Sequence, residues 1–415
     1  MEELVDRWRS AMGEGLDDVS AVEAALRVRI GALAEQGLSP DAAFFTAVGQ
    51  IASPTARSRL PTEGLARTLA VAVAAAAVVL APRLLLDAED YFEFLVRNLP
   101  FLVLPVLVFW LLAGRGVLRR VGPWLLLGFA ALAGLVNLFP FEPWSDTEFI
   151  VILHAPVVAW SLVAFAHMAG EWRSHERRME VVRFTGEAFV FVVLMALGGG
   201  LLTGISIGVF AALGIDVAEL ATTLMPGAAA GALIVAAWLV DRPDQVMERI
   251  APVLSAVFTP LLGVVLGVAA IAGAVSGFGI EADREVLVLF DVLLVLVTGL
   301  LLYRVSARDP HDPWSALDGA HLLTIGFALL LDMVGLVAMV GRIAEFGASP
   351  NKVVALGLNL LLLVVLGRSA WLLLQVLRGH RPFDEVFRWQ TASLPLYSGW
   401  ALAVVVVVPL LFGFS

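Results

Sequence analysis

From Leu65 onward the chain alternates apolar runs of about 20 residues with short polar breaks. A helix rising 1.5 Å per residue needs that length to cross a hydrocarbon core of about 30 Å. Lipid offers the backbone no hydrogen-bond partner, so such runs must satisfy their own amides as helices. The runs fall near 66–86, 96–113, 121–140, 147–170, 185–213, 218–240, 250–274, 284–304, 317–341, 352–376 and 394–413. They predict an all-α, polytopic transmembrane helix bundle of about eleven spans. The fifth run is long for a single crossing, so a break is expected within it.

Composition closes off the alternatives. The chain is 60% hydrophobic and 15% charged, against roughly 45–50% and about 25% in soluble domains. A soluble enzyme, a disordered chain and a nucleic-acid-binding module are therefore excluded. The net charge of −10 also disfavours a polyanionic partner, because phosphate binding is driven by clustered Lys and Arg. With no cysteine, disulfides, thiol catalysis and Cys-type metal centres are ruled out. The acidic start, Met1 to Asp6, lacks the basic and apolar regions of a cleavable signal. The first apolar run is then expected to act as both signal and anchor.

Residues 1–62 differ from the rest and are expected to form a small cytoplasmic helical domain preceding the bundle of 63–415. A first amphipathic segment covers about Glu2–Met12. A second starts at the capping residue Ser20 and places Val22, Ala25, Leu26, Ile30 and Leu33 on one face. A third follows Ser39-Pro40, a cap with proline at the first helical position. Its face is Ala43, Phe44, Ala47 and Val48.

Basic residues set the expected orientation. One set of breaks carries 14 arginines: 115, 119, 120, 173, 177, 178, 183, 242, 249, 304, 308, 378, 381 and 388. The alternate set carries five bases: Arg83, Arg97, Arg284, Arg342 and Lys352. The arginine-rich side is the cytoplasmic one, which puts the N-terminus inside and, after eleven spans, the C-terminus outside. The segments 378–390 and 173–183 read as amphipathic stretches lying at the cytoplasmic interface. Pro143-Trp144-Ser145 and Pro313-Trp314-Ser315 precede spans four and nine. Being five spans apart, they read either as the trace of an inverted repeat or as ordinary interfacial composition.

Ionisable residues within spans are costly and point to function. Asp291 and Asp332 fall at similar depth in adjacent spans and would share a proton or coordinate a cation. Asp318, His321 and Asp332 recur at close to whole helical turns, so they line one face of span nine with Thr324 beside it. Such a stripe suits an ion or proton pathway. The competing reading is an Asp332–Arg368 ion pair that fastens helices. Secondary polar candidates are His154 with Asn137, and Glu187 near the inner interface, where snorkelling to water is cheap. Span five is rich in glycine at 198, 199, 200, 204 and 208. That pattern allows tight helix packing or a broken helix at a gate. Pro226, Pro252 and Pro260 signal kinks or interrupted spans. The six histidines show no metal spacing, and no nucleophile elbow or P-loop occurs. No catalytic residue, metal or cofactor is expected.

The stretch Gly37-Leu38-Ser39-Pro40-Asp41-Ala42-Ala43-Phe44-Phe45-Thr46-Ala47-Val48 resembles the permease-prefix domain of bacterial membrane proteins. Arg183-Phe184-Thr185-Gly186-Glu187, the glycine-rich span and Phe258-Thr259-Pro260-Leu261-Leu262 resemble an uncharacterised bacterial multi-pass family, catalogued as a domain of unknown function. The resemblance implies a bacterial plasma membrane and a prefix-plus-permease layout, with no activity or catalytic residues to carry over. The residues themselves lead to a permease-like protein, a proton- or cation-coupled secondary transporter. A sensor signalling through residues 1–62, or an oligomeric channel, is the alternative. The expected partners are the lipid bilayer, a small solute or ion, a cytoplasmic protein at residues 1–62 and further copies of the chain.

Overall fold

The computed structural model describes residues 64–241, 250–276, 284–308 and 314–415, with positions 26–28, 30, 31, 33 and 44 of the N-terminal segment. The chain divides into two units, residues 1–66 and 67–415. Within the first, Leu26, Ile30 and Leu33 are helical and buried, as is Phe44. These are the i, i+4 and i+7 positions of the second predicted segment and one anchor of the third. The remaining features predicted for 1–62, including the caps at Ser20 and Ser39, lie outside the described residues.

Among its described residues, all the regular secondary structure of the second unit is helical. Its helices are α1 (Leu65–Leu80), α2 (Ala88–Gly114), α3 (Leu118–Leu138), α4 (Asp146–His167), α5 (His175–Ala212), α6 (Ala218–Val240), α7 (Ile250–Ser276), α8 (Arg284–Ala307), α9 (Ala316–Phe346), α10 (Pro350–Leu377) and α11 (Asp384–Phe412). Among the described residues, ten are long and apolar enough to cross a membrane, all but α8. Helix α8 has 24 residues, about 36 Å of rise, and packs inside the same bundle against α5, α7, α9 and α10.

Two apolar cores organise the bundle. The first joins α1–α4 and α6, with Phe184 of α5 and Val405 of α11 inserted into it. The second joins α7–α10 with the starts of α5 and α11. Close approaches are made where glycine stands opposite bulk. A methyl group on Gly263 of α7 would sit 2.5 Å from Thr324 Oγ1 of α9, and one on Gly357 of α10 would sit 2.0 Å from the Trp400 ring of α11. On α5, Gly186 leaves room for the Tyr303 ring in the same way.

Several local expectations are revised. Helix α5 runs unbroken for 38 residues, about 57 Å, so its glycines do not interrupt it. A methyl group added at Gly198, Gly199, Gly200, Gly204 or Gly208 would meet no other atom of the described residues within 4 Å, so these are not where helices close up. Helices α6 and α7 likewise continue through Pro226 and Pro260. Residues 175–183 and 384–390 are not separate interfacial helices; they are the first turns of α5 and α11. Trp389 turns inward and donates through Nε1 to the Val365 carbonyl.

The two Pro-Trp-Ser elements build the same local device. Ser145 and Ser315 are N-caps of α4 and α9, each accepting from the backbone amide of an acid three residues on, Glu148 and Asp318. Each acid reaches back to a backbone amide, of Trp144 or Ser315. Each also pairs with arginine from another helix region: Glu148 with Arg97, and Asp318 with Arg304 and Arg308. Serine caps with an acid at the third helical position are a general way to satisfy orphan amides. The shared motif thus has the same capping role at both helix starts.

Candidate functional site

Three helices of the second core carry acid and amide side chains in its neighbourhood. Asp332 comes from the middle of α9, Asp291 from the second turn of α8 and Asn359 from the third turn of α10. The Asn359 side chain hydrogen-bonds Asp291, and the charge of Asp291 acts on Asp332. Asp332 is only 1% exposed. Neither of its carboxylate oxygens has a hydrogen-bond partner among the described residues, and the same holds for Asn359 Oδ1. Helix α9 extends to Phe346, so Asp332 lies 14 residues from its end, deeper than a span ending near 341 would place it.

Such a cluster is chemically unusual. Buried polar atoms are almost always paired, and a lone buried charge is more costly still. Here oxygen acceptors outnumber donors. The arrangement suits binding of a positive species between α8 and α9.

Asp318 has a different environment, although it shares a helix with Asp332. It is 3% exposed, and it is gripped by Arg304 Nη2 at 3.2 Å and Arg308 Nη1 at 2.8 Å. It also closes the capping box at Ser315. Arg308 in turn lies over the Phe383 ring, 4.1 Å from its centroid. His321 stands one turn on from Asp318. Its Nε2 pairs with Thr259 Oγ1 of α7 at 3.0 Å, and its Nδ1 faces the Leu317 carbonyl at 3.1 Å. Thr324 Oγ1 donates to the Ala320 carbonyl at 2.8 Å and approaches the Thr259 carbonyl at 3.3 Å. The stripe Asp318, His321, Thr324, Asp332 is thus buried along α9. Its first members face the α7 seam and the arginines, while Asp332 is acted on by Asp291 of α8.

Arg368 does not meet Asp332. It is exposed, and its guanidinium lies over Trp389, 4.6 Å from the ring centroid. Cation–aromatic contact at a solvent- or interface-facing position satisfies a long arginine without burying it. His154 and Asn137 are also not joined. His154 Nδ1 bonds the Ile150 carbonyl of its own helix. Asn137 forms a reciprocal amide pair with Asn98 of α2, at 2.8 and 3.2 Å. Glu187 is 7% exposed and lies beside Tyr303 rather than reaching to water.

The sequence alone does not single out Asn359, Thr259 or Asn98. Neutral polar residues in apolar runs are common and carry no charge penalty to draw attention. Only the packing of α10 on α8 and α9 makes Asn359 part of the acid cluster. A polar residue on each of three adjacent runs at matching depth is the signal that points to it. No protein-family model, curated protein or solved structure matches this chain.

Proposed function

We propose that this multi-pass membrane protein is a permease-like secondary transporter coupled to a proton or another cation, with Asp291 and Asp332 holding the coupling species. One observation carries the reading: Asp332 is buried in a membrane-scale bundle and lacks a compensating partner among the described residues, with the charge of Asp291 acting on it. Packing alone gives no return for such an arrangement, since a paired acid or an apolar residue would fasten the helices at lower cost. The grip of Arg304 and Arg308 on Asp318 makes that acid an anchor rather than a relay station. His321 then stands as the intermediate group between the acid pair and the arginine-rich end. The resemblance of 37–48 to permease-prefix domains agrees with this reading and with a bacterial plasma membrane.

The test is reconstitution of the full chain in liposomes loaded with a pH-reporting dye, challenged with a panel of small solutes and with sodium and potassium gradients. Solute-dependent proton or cation movement that disappears in Asp332→Asn supports the assignment. Absence of any flux, or flux indifferent to Asp332→Asn, overturns it. Steady single-channel currents would make the protein a channel instead. A regulatory role is favoured by the separate unit formed by residues 1–66. A cytoplasmic protein recovered reproducibly by the full chain, and lost when Leu26 and Ile30 are replaced, would support that role.

A further inference from the structure

We infer that the arginine-rich end of α10 and α11 binds an anionic phospholipid, with the lipid phosphate on Arg368 and an acyl chain along Val364 and Leu360. The inference does not depend on the transport reading.

Hydrogen bonds between helices fix the level of Arg368 in the bundle. Helix α4 has 22 residues, about 33 Å of rise, which is close to the thickness of a hydrocarbon core. At one end its cap, Ser145, donates to the Phe414 carbonyl just beyond α11. At the other end the chain turns back into α5. The first residue of α5, His175, meets Thr391 Oγ1 of α11 at 2.6 Å, and Arg178 donates to the Thr391 carbonyl at 3.2 Å. Thr391 therefore marks the arginine-rich boundary of the apolar layer. Beyond it, as far as Phe412, α11 carries no Asp, Glu, Lys or Arg. Helices α10 and α11 are locked in register at this level. Gln390 Nε2 donates to Ser369 Oγ at 2.6 Å, and Trp389 Nε1 to the Val365 carbonyl at 3.2 Å. Arg368, between Val365 and Ser369 in register, thus stands at the depth of lipid headgroups.

The chemistry of Arg368 suits an anion. It is exposed, and it forms no ion pair among the described residues. Its guanidinium is held over the Trp389 ring, 4.6 Å from the centroid. Contact with a ring leaves the fork of N–H donors available, and that fork matches two oxygens of a phosphate. The neighbouring charges are already balanced. Asp384 pairs with Arg388 at 2.6 Å, and Glu385 pairs with Arg381, which also lies over Trp371. The two acids in the first turn of α11 are thus offset by their own arginines, and Arg368 keeps its charge for an external partner.

The rest of the face points to a lipid rather than a soluble anion. Val364 and Leu360 lie four and eight residues before Arg368, on the same side of α10, and both are exposed. Trp371, three residues after Arg368, is exposed as well. Aliphatic surface, then a cation, then an aromatic ring is the order that an acyl chain, a phosphate and the outer headgroup present to a helix. A free phosphate has no use for the aliphatic part. Basic side chains at the membrane surface attract anionic lipid.

Native mass spectrometry of the full chain in detergent, titrated with phosphatidylglycerol or phosphatidylcholine of equal chain length, reads the binding. The parent should retain phosphatidylglycerol in preference to phosphatidylcholine. Arg368→Gln should weaken phosphatidylglycerol binding about fivefold, and Arg368→Lys should fall between the two. Arg120→Gln, which removes an exposed arginine elsewhere at the same end, should bind like the parent. Equal retention by the parent and Arg368→Gln overturns the site, and so does an equal loss in Arg120→Gln. Displacement of phosphatidylglycerol by inorganic phosphate would make Arg368 a site for a soluble anion and overturn the lipid assignment. A second measurement needs no variant. Phosphatidylglycerol carrying a diazirine in its acyl chain, irradiated with the parent in phosphatidylcholine nanodiscs, should crosslink to the peptide that contains Leu360 and Val364. Crosslinks confined to other helices overturn the proposal.

Discussion

Arg308 Nη1 stands 2.8 Å from Asp318 Oδ2, with both side chains almost completely shielded from solvent. Fourteen residues along the same helix, Asp332 is equally buried and pairs with no cation among the described residues. One helix thus carries two acids of opposite standing, one neutralised in the fold and one not.

That contrast predicts opposite effects on stability. Asp318→Asn leaves Arg304 and Arg308 without their counter-charge and weakens the capping box. Breaking a buried pair from one side costs about 3–5 kcal/mol, so this variant should unfold at a markedly lower temperature. Asp332→Asn removes an uncompensated carboxylate and should leave the unfolding temperature unchanged or raise it. Thermal unfolding of the two variants in the same detergent decides the matter. Equal losses would mean that Asp332 is a structural anchor too.

The glycines make a second prediction. Gly357→Ala drives a methyl group into the Trp400 ring, and Gly263→Ala drives one into Thr324 Oγ1. Overpacking of this kind costs about 1–3 kcal/mol. Gly200→Ala and Gly204→Ala meet no described neighbour and raise helix propensity. The first pair should lower the unfolding temperature and the second should not, although the sequence pattern favours the opposite assignment.

This inversion shows what the sequence can and cannot disclose. Apolar run length decides the helices, because the bilayer dimension is fixed and lipid forbids other backbone structure. The spans predicted from 66 to 413 therefore correspond to α1–α11 in order. Partner choice is not readable. Gly200, Gly204 and Gly208 have the spacing of a packing stripe, but spacing does not say what stands opposite. Asp318 and Asp332 look alike on a helical wheel, and they separate only once Arg304 and Arg308, at the end of α8, reach one of them. The Asp332–Arg368 pair is within reach by side-chain length, but α11 places Trp389 against Arg368 instead.

The Asn98–Asn137 amide pair makes a third prediction. Asn98 is buried at 7% exposure and exchanges two hydrogen bonds with Asn137. Polar contacts between membrane helices are worth about 0.6 kcal/mol on average and at most about 1.7 in measured cycles. Asn137→Ala and Asn98→Ala should each give a modest loss, and the double variant should lose less than their sum. A double-mutant cycle on unfolding temperature or denaturant midpoint tests this. Strict additivity would show that the two amides are not energetically coupled.

The absence of cysteine makes orientation directly measurable. The arginine-rich ends of the spans predict a cytoplasmic side that includes Arg119, Arg177 and Arg381, and an opposite side that includes Trp144 and Lys352. Single cysteines introduced at exposed positions, Gly116→Cys and Arg173→Cys on the first side and Trp144→Cys and Ser415→Cys on the second, give thiols with no native background. A membrane-impermeant maleimide applied to intact cells should label the second pair only, and the first pair only after lysis. Labelling of Gly116→Cys in intact cells would reverse the topology. It would also exchange the faces from which the Asp291–Asp332 pair is reached, because α9 would then run from outside to inside.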